Sequence, residues 1–325
     1  MDWSWELLSM DEQWLLARLS VFSGGWTLEA AEGACDVRGV AGGLRSLVAK
    51  SLIEPPKGPD GTRYRMLETV RLFAQQKLVD LNMSADARSA HCAWFLRWVE
   101  SVPFDERVFS FGFLSRLSAD LDNVFAAIDW AFDTGETTTA ARLVASGAGL
   151  WMGGIAATQA VRWTSSLLDA DLTDAVRARL LLAGSLASVV AGKHEHISAW
   201  ASEAGDLARG QDDSVEAIAT IWQVTPLMSR RPETAPAMLA RARELAAGST
   251  WCLGFVSAWE LVAAMSAGER IDGRVTTART SFRWRRFVGL DRGGPGCVSR
   301  RGIGREPQRS DVFAQTRRRS ATGTS

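Results

Sequence analysis

The chain has 325 residues, 46% of them hydrophobic, and its 37 basic and 37 acidic side chains cancel. That is enough apolar material for two packed domains. The cancellation hides an asymmetry: residues 285–325 hold ten Arg against three acids, so residues 1–284 carry a net charge of −7, a poor general surface for nucleic acid, whose binding rests on phosphate neutralisation.

The start, Met1-Asp2-Trp3-Ser4-Trp5-Glu6, lacks the basic residues and apolar core of a secretion signal. The longest weakly polar run, Leu180 to Gly192, falls far short of the ~20 residues a membrane helix needs. Four scattered cysteines (Cys35, Cys92, Cys252 and Cys297) form no Cys-x-x-Cys pair and read as reduced thiols. A soluble, cytoplasmic protein without a membrane partner is expected.

Ser9 and Glu12 form a capping box that opens a helix carrying Leu15, Leu16, Leu19 and Phe22. The turn Ser23-Gly24-Gly25-Trp26 ends it, and Thr27 starts a short second helix. A third, Val40 to Ser51, presents Leu44, Leu47 and Val48 on one face. Two short strands flank Pro55-Pro56-Lys57-Gly58-Pro59-Asp60-Gly61, and another helix follows from Glu68. Three helices, a hairpin and a helix make a winged helix over residues 1–80.

The segments Trp3–Cys35, Leu47–Glu54 and Arg63–Leu78, with Arg88–Leu96 and Ala119–Ala131, together resemble the winged-helix region of STAND-class signal-transducing ATPases, bacterial regulators that often carry a LuxR-type DNA-binding domain. The likeness covers roughly residues 3–170. It implies an ATP-binding phosphate loop upstream of the winged helix. No Gly-x-x-x-x-Gly-Lys-Ser/Thr occurs here. The nearest approach, Gly192-Lys193, has Ala187 for the first Gly and His194 for the hydroxyl. The chain is therefore read as beginning after that loop, as having no cofactor and as not being an enzyme, with ATP implied only for full-length relatives.

Residues 81–136 read as linking helices. One has a buried stripe at Leu121, Val124, Phe125, Ile128 and Phe132. From 137 to 284 a 38-residue period appears, with Gly153, Ala191, Ser229 and Ala267 at corresponding turns. Eight residues on stand Val161, Ala199, Ala237 and Val275; eleven on stand Thr164, Ser202, Ala240 and Ala278. These small columns suggest closely stacked hairpins. The expected fold is mainly α, a winged helix-turn-helix domain followed by a tetratricopeptide-like solenoid, whose repeat is ~34 residues. An irregular helical domain is the alternative. Residues 285–325, with seven Gly, ten Arg and no Trp, read as either a disordered basic tail or a stretch out of frame.

The third helix of a winged helix often reads DNA. Here it offers Arg45 and Lys50, and the wing adds Lys57, Arg63 and Arg65. These are few and dispersed for a DNA footprint. Arg45, Lys50, Arg63 and Arg65 are accordingly candidates either for DNA or, as the resemblance implies, for contact with a nucleotide-binding domain on another chain. On a helix His194 and His196 would point to different faces and could not chelate together; in a turn they could meet, but no third ligand stands nearby. His91 reads as packing or capping, and Asp120, near Asp122 and Asn123, as an acid at a helix start. No catalytic or metal site is expected. The expected role is signal relay in a transcriptional regulator through protein contacts. The alternatives are a direct DNA-binding factor, a scaffold, or a truncated remnant.

Overall fold

The computed structural model describes residues 2–35, 37–57, 62–230 and 232–266. The wing tip, the repeat marker at Ala267 and the basic segment 285–325 lie outside them.

Helix α1 (Asp2–Glu6) leads into α2 (Met10–Leu19) through the expected capping box. Ser9 Oγ accepts from the Glu12 N–H at 3.3 Å, and the Ser9 N–H donates to Glu12 Oε2 at 2.8 Å. Leu15, Leu16 and Leu19 are buried, as is Phe22 beyond the helix. Strand β1 (Trp26–Thr27) precedes α3 (Leu28–Cys35), where Thr27 Oγ1 accepts from the Ala30 N–H. Then come α4 (Val40–Ala49), β2 (Glu54–Lys57), β3 (Arg63–Arg65) and α5 (Glu68–Asp80).

The sheet is antiparallel with order β1-β3-β2. Sequence reading expects two strands; the third is the two-residue β1, too short to carry a periodic signal. Gly25 creates it: its φ of +106° and the 2.6 Å between a built Cβ and Tyr64 O exclude any side chain. Pro55 and Pro56 lack N–H donors and are accommodated because β2 is an edge strand.

Helix α6 (Ser84–Glu100) packs on α3 and on α9 (Leu121–Asp133), with α7 (Phe104–Phe109) and α8 (Phe111–Ala119) between. An aromatic cluster of Phe22, His91, Phe95 and Trp98 joins these helices to the winged helix, with ring centroids 4.7–6.3 Å apart.

Eight α-helices follow among the described residues: α10 (Thr137–Ser146), α11 (Ala148–Met152), α12 (Ala157–Ser166), α13 (Asp174–Ala191), α14 (His194–Ala208), α15 (Asp213–Arg230), α16 (Ala235–Leu245) and α17 (Thr250–Ser266). From α12 to α17 each packs on the next, a succession of helical repeats. Each marker falls at a helix end: Gly153 directly follows α11, Ala191 is the last residue of α13, and Ser229 precedes the last residue of α15. The small-residue columns do not hold: Val161 and Thr164 are buried, but Ala199, Ser202, Ala237 and Ala240 are exposed. Turn length varies, so α12, α14 and α16 begin at different distances from their markers and the register slips. The buried faces instead carry Ala201, Ala204 and Ala208 on α14, and Ala235, Leu239 and Ala242 on α16. Helices approach closely at Gly184 on α13, where a Cβ would lie 2.6 Å from Thr164 and 2.8 Å from Trp200. No helix among the described residues is long and apolar enough to cross a membrane.

Candidate inter-domain interface

Two of the four basic candidates are held in separate internal pairs. Lys50, at the C-terminus of α4, lies 2.7 Å from both oxygens of Glu12, and Ser46 Oγ donates to the same carboxylate at 2.5 Å. Partial burial alone would raise the Glu12 pKa, but bonds from Lys50, Ser46 and the Ser9 N–H outweigh it and bring it to about 2. The capping residue of α2 thus also holds α4. Arg63 on β3 makes a bidentate pair with Asp120, both distances 2.8 Å, and donates to Gly25 O at 3.1 Å. Arg45 and Arg65 are exposed and make no ion pair among the described residues.

Asp120 is the N-cap residue of α9, yet its side chain caps no backbone N–H. A helix-start role is thus incomplete, because the carboxylate is committed to the wing. Beside it Asn123, fully buried, donates through Nδ2 to Gly25 O and to Asp120 Oδ1, both at 2.9 Å, while its Oδ1 accepts from the Ser23 N–H at 2.7 Å. One amide therefore satisfies the backbone of the glycine turn and orients the acid that holds Arg63. In the sequence Asn123 stands only as a neighbour of Asp120, with no role of its own. Its partners lie 98 and 100 residues away, and no local spacing announces them.

His91 lies against Phe22 and Phe95 with centroids at 5.0 and 4.7 Å. Burial pushes its pKa down to about 4, against the pull of Asn123 and Asp120, so it is neutral at pH 7. The ring is a packing element. Among the described residues no group of three or more His, Cys, Asp or Glu could hold a metal ion. His194 is exposed, and His196 stacks on Trp200 at 4.2 Å. Cys35, Cys92 and Cys252 are buried free thiols, and burial raises the pKa of Cys35 to about 12.

The winged helix exposes large apolar side chains. Leu7, Met10 and Trp14, spaced i, i+3 and i+7 along α2 and its approach, are 41–67% exposed. Leu72 and Val79, seven apart on α5, are each 55% exposed. Contiguous exposed apolar patches mark contact surfaces, whereas single exposed apolar side chains are ordinary.

Residues 8–79 match the family model of the winged helix-turn-helix domain, in agreement with three helices, a wing and a closing helix. The chain is also similar to longer bacterial proteins. One from Mycobacterium bovis and two from strains of Mycobacterium tuberculosis, each named provisionally as an HTH-type transcriptional regulator, are 30% identical to it over 292 residues. The match covers 82% of this chain and 32% of each relative, so the chain spans about a third of their length. No solved structure matches it.

Proposed function

We propose that this chain is the winged-helix and helical-repeat portion of a transcriptional regulator, and that its winged helix works by docking on a protein domain rather than by reading DNA. One contrast carries the reading: Lys50 and Arg63 are held in internal pairs, while Leu7, Met10, Trp14, Leu72 and Val79 face solvent. A DNA reader needs free cations converging on phosphate. A relay needs an apolar contact face and a firm link to the next domain. Arg63, Asp120 and Asn123 supply that link, from the wing to α9 and onward through α10 to the repeats. The docking partner in this reading is a nucleotide-binding ATPase domain of the STAND type, and the repeats act as a tetratricopeptide-like sensor. The names of the mycobacterial relatives support the regulatory part.

The test is association of the full chain with the remainder of the Mycobacterium tuberculosis relative, expressed separately. Leu72→Asp with Val79→Asp should weaken binding at least tenfold while Arg45→Ala leaves it unchanged; the opposite ranking refutes docking. A second reading, direct DNA binding, is favoured by Arg45 on α4 and Arg65 on β3, both exposed and without an ion pair among the described residues. It requires Arg45→Ala to cost about 1–3 kcal/mol on a specific duplex.

A further inference from the structure

A cavity of about 530 Å³ lies among the end of α6, the start of α7, α10 and α13, a volume in the range of small-molecule sites. Three arginines line it: Arg107, Arg142 and Arg179. Two are neutralised. Arg142 makes a two-point pair with Glu100, and Arg179 lies 2.6 Å from Asp212. Among the described residues Arg107 has no carboxylate within ion-pair distance.

Arg107 Nη1 donates to Ser146 Oγ at 2.8 Å, and that hydroxyl is in turn donated to the Arg142 carbonyl. The Arg107 Nε–H is buried without a partner, in a residue only 6% exposed. Burial, then the nearby Arg179, push its pKa down to about 10, which still leaves the guanidinium charged at neutral pH. Among the five charged groups here, Arg107, Arg142 and Arg179 face Glu100 and Asp212, a surplus of one positive charge. Arg107 and Arg179 both lie over the Phe104 ring, at 5.4 and 5.9 Å, and Val102 and Val176 complete an apolar wall. A buried cation with an unused donor is costly unless something anionic meets it. The fork of a guanidinium fits a carboxylate or phosphate head.

We propose that this cavity binds a small organic anion, its carboxylate or phosphate head paired with Arg107 and its apolar body resting on Val102, Phe104 and Val176. The site stands apart from the winged helix and does not depend on the docking reading. Its place between the linking helices and the first repeats suits a ligand that reports on the repeat region.

Calorimetric titration of the full chain at low salt tests it, with phenyl phosphate, benzoate, inorganic phosphate and neutral benzyl alcohol as probes. One or both aromatic anions should bind, more tightly than inorganic phosphate, and benzyl alcohol should not; whichever head binds better identifies the class. Arg107→Met should weaken binding at least tenfold, and Arg107→Lys, which keeps the charge but loses the fork, by less. Absence of anion binding at millimolar concentration, or equal binding by Arg107→Met, overturns the proposal. Should Arg107→Met fail to fold, Ala145→Glu decides the matter. It places a carboxylate in the cavity wall to meet Arg107 and should abolish anion binding; undiminished binding overturns the site.

Discussion

The winged helix and the repeat region are held together in different ways. In the first, a leucine and aromatic core is supplemented by a few long-range polar joints: Glu12 to Lys50, and Arg63 and Asn123 to the turn and to Asp120. In the second, cohesion is distributed over alanine and glycine faces, with ion pairs such as Arg177–Glu203 and Arg179–Asp212 rimming successive helices. Partly exposed pairs of that kind contribute roughly 0–1 kcal/mol each.

The largest test of this contrast lies in the repeats. Trp151 is fully buried, donates from Nε1 to Val144 O at 2.7 Å and packs against Phe125 and Trp163. Trp151→Ala should cost about 3–5 kcal/mol by denaturant unfolding. The loss should stay in the repeats, leaving hydrogen-exchange protection of α2 and α4 intact; loss of protection in both regions would break the distinction.

Next comes the joint itself. Asp120→Ala strands Arg63 in a site where the two side chains are 17% and 11% exposed. The expected cost is about 2–3 kcal/mol, below that of a fully buried pair. Because Arg63→Ala removes the same interaction, the double variant should lose much less than the sum. Additive losses would show that no joint exists.

The pH dependence sharpens the comparison further. His91 titrates at about 4 in the fold, against 6.5 ordinarily, so between those values the unfolded chain binds the proton and the folded chain does not. Stability is therefore fully present above pH 6.5 and falls as the pH drops toward 4, by about 3 kcal/mol. His91→Gln should flatten that slope in urea titrations at successive pH values; an unchanged slope would assign it to other groups. The smallest effect is at the cap: Ser9→Ala should cost about 1 kcal/mol, read from the unfolding midpoint.

The parts legible in sequence were those with local grammar. The capping box at Ser9 and Glu12, the glycine turn and the stripe ending at Phe132 announce themselves within a dozen residues. So did the winged helix, as an order of short elements. Strand β1 did not, because two residues acquire strand character only by pairing with Tyr64 and Arg63. The repeat turns were visible, but their columns were misread where turn length drifts between α12 and α16. At the interface, Arg63 was visible as a cation. That it is spent on Asp120, 57 residues away, was not, and Asn123 gave no signal of its own. Arg107 likewise passed unnoticed, since an arginine between two phenylalanines carries no motif.

The most direct test of the central claim is fluorescence anisotropy of the full chain with duplex DNA at 50 mM salt, comparing the unaltered protein with Arg45→Ala. The account expects weak association that is the same for both proteins. Sequence-specific binding that Arg45→Ala weakens by tenfold or more would contradict it and make the winged helix a reader of DNA.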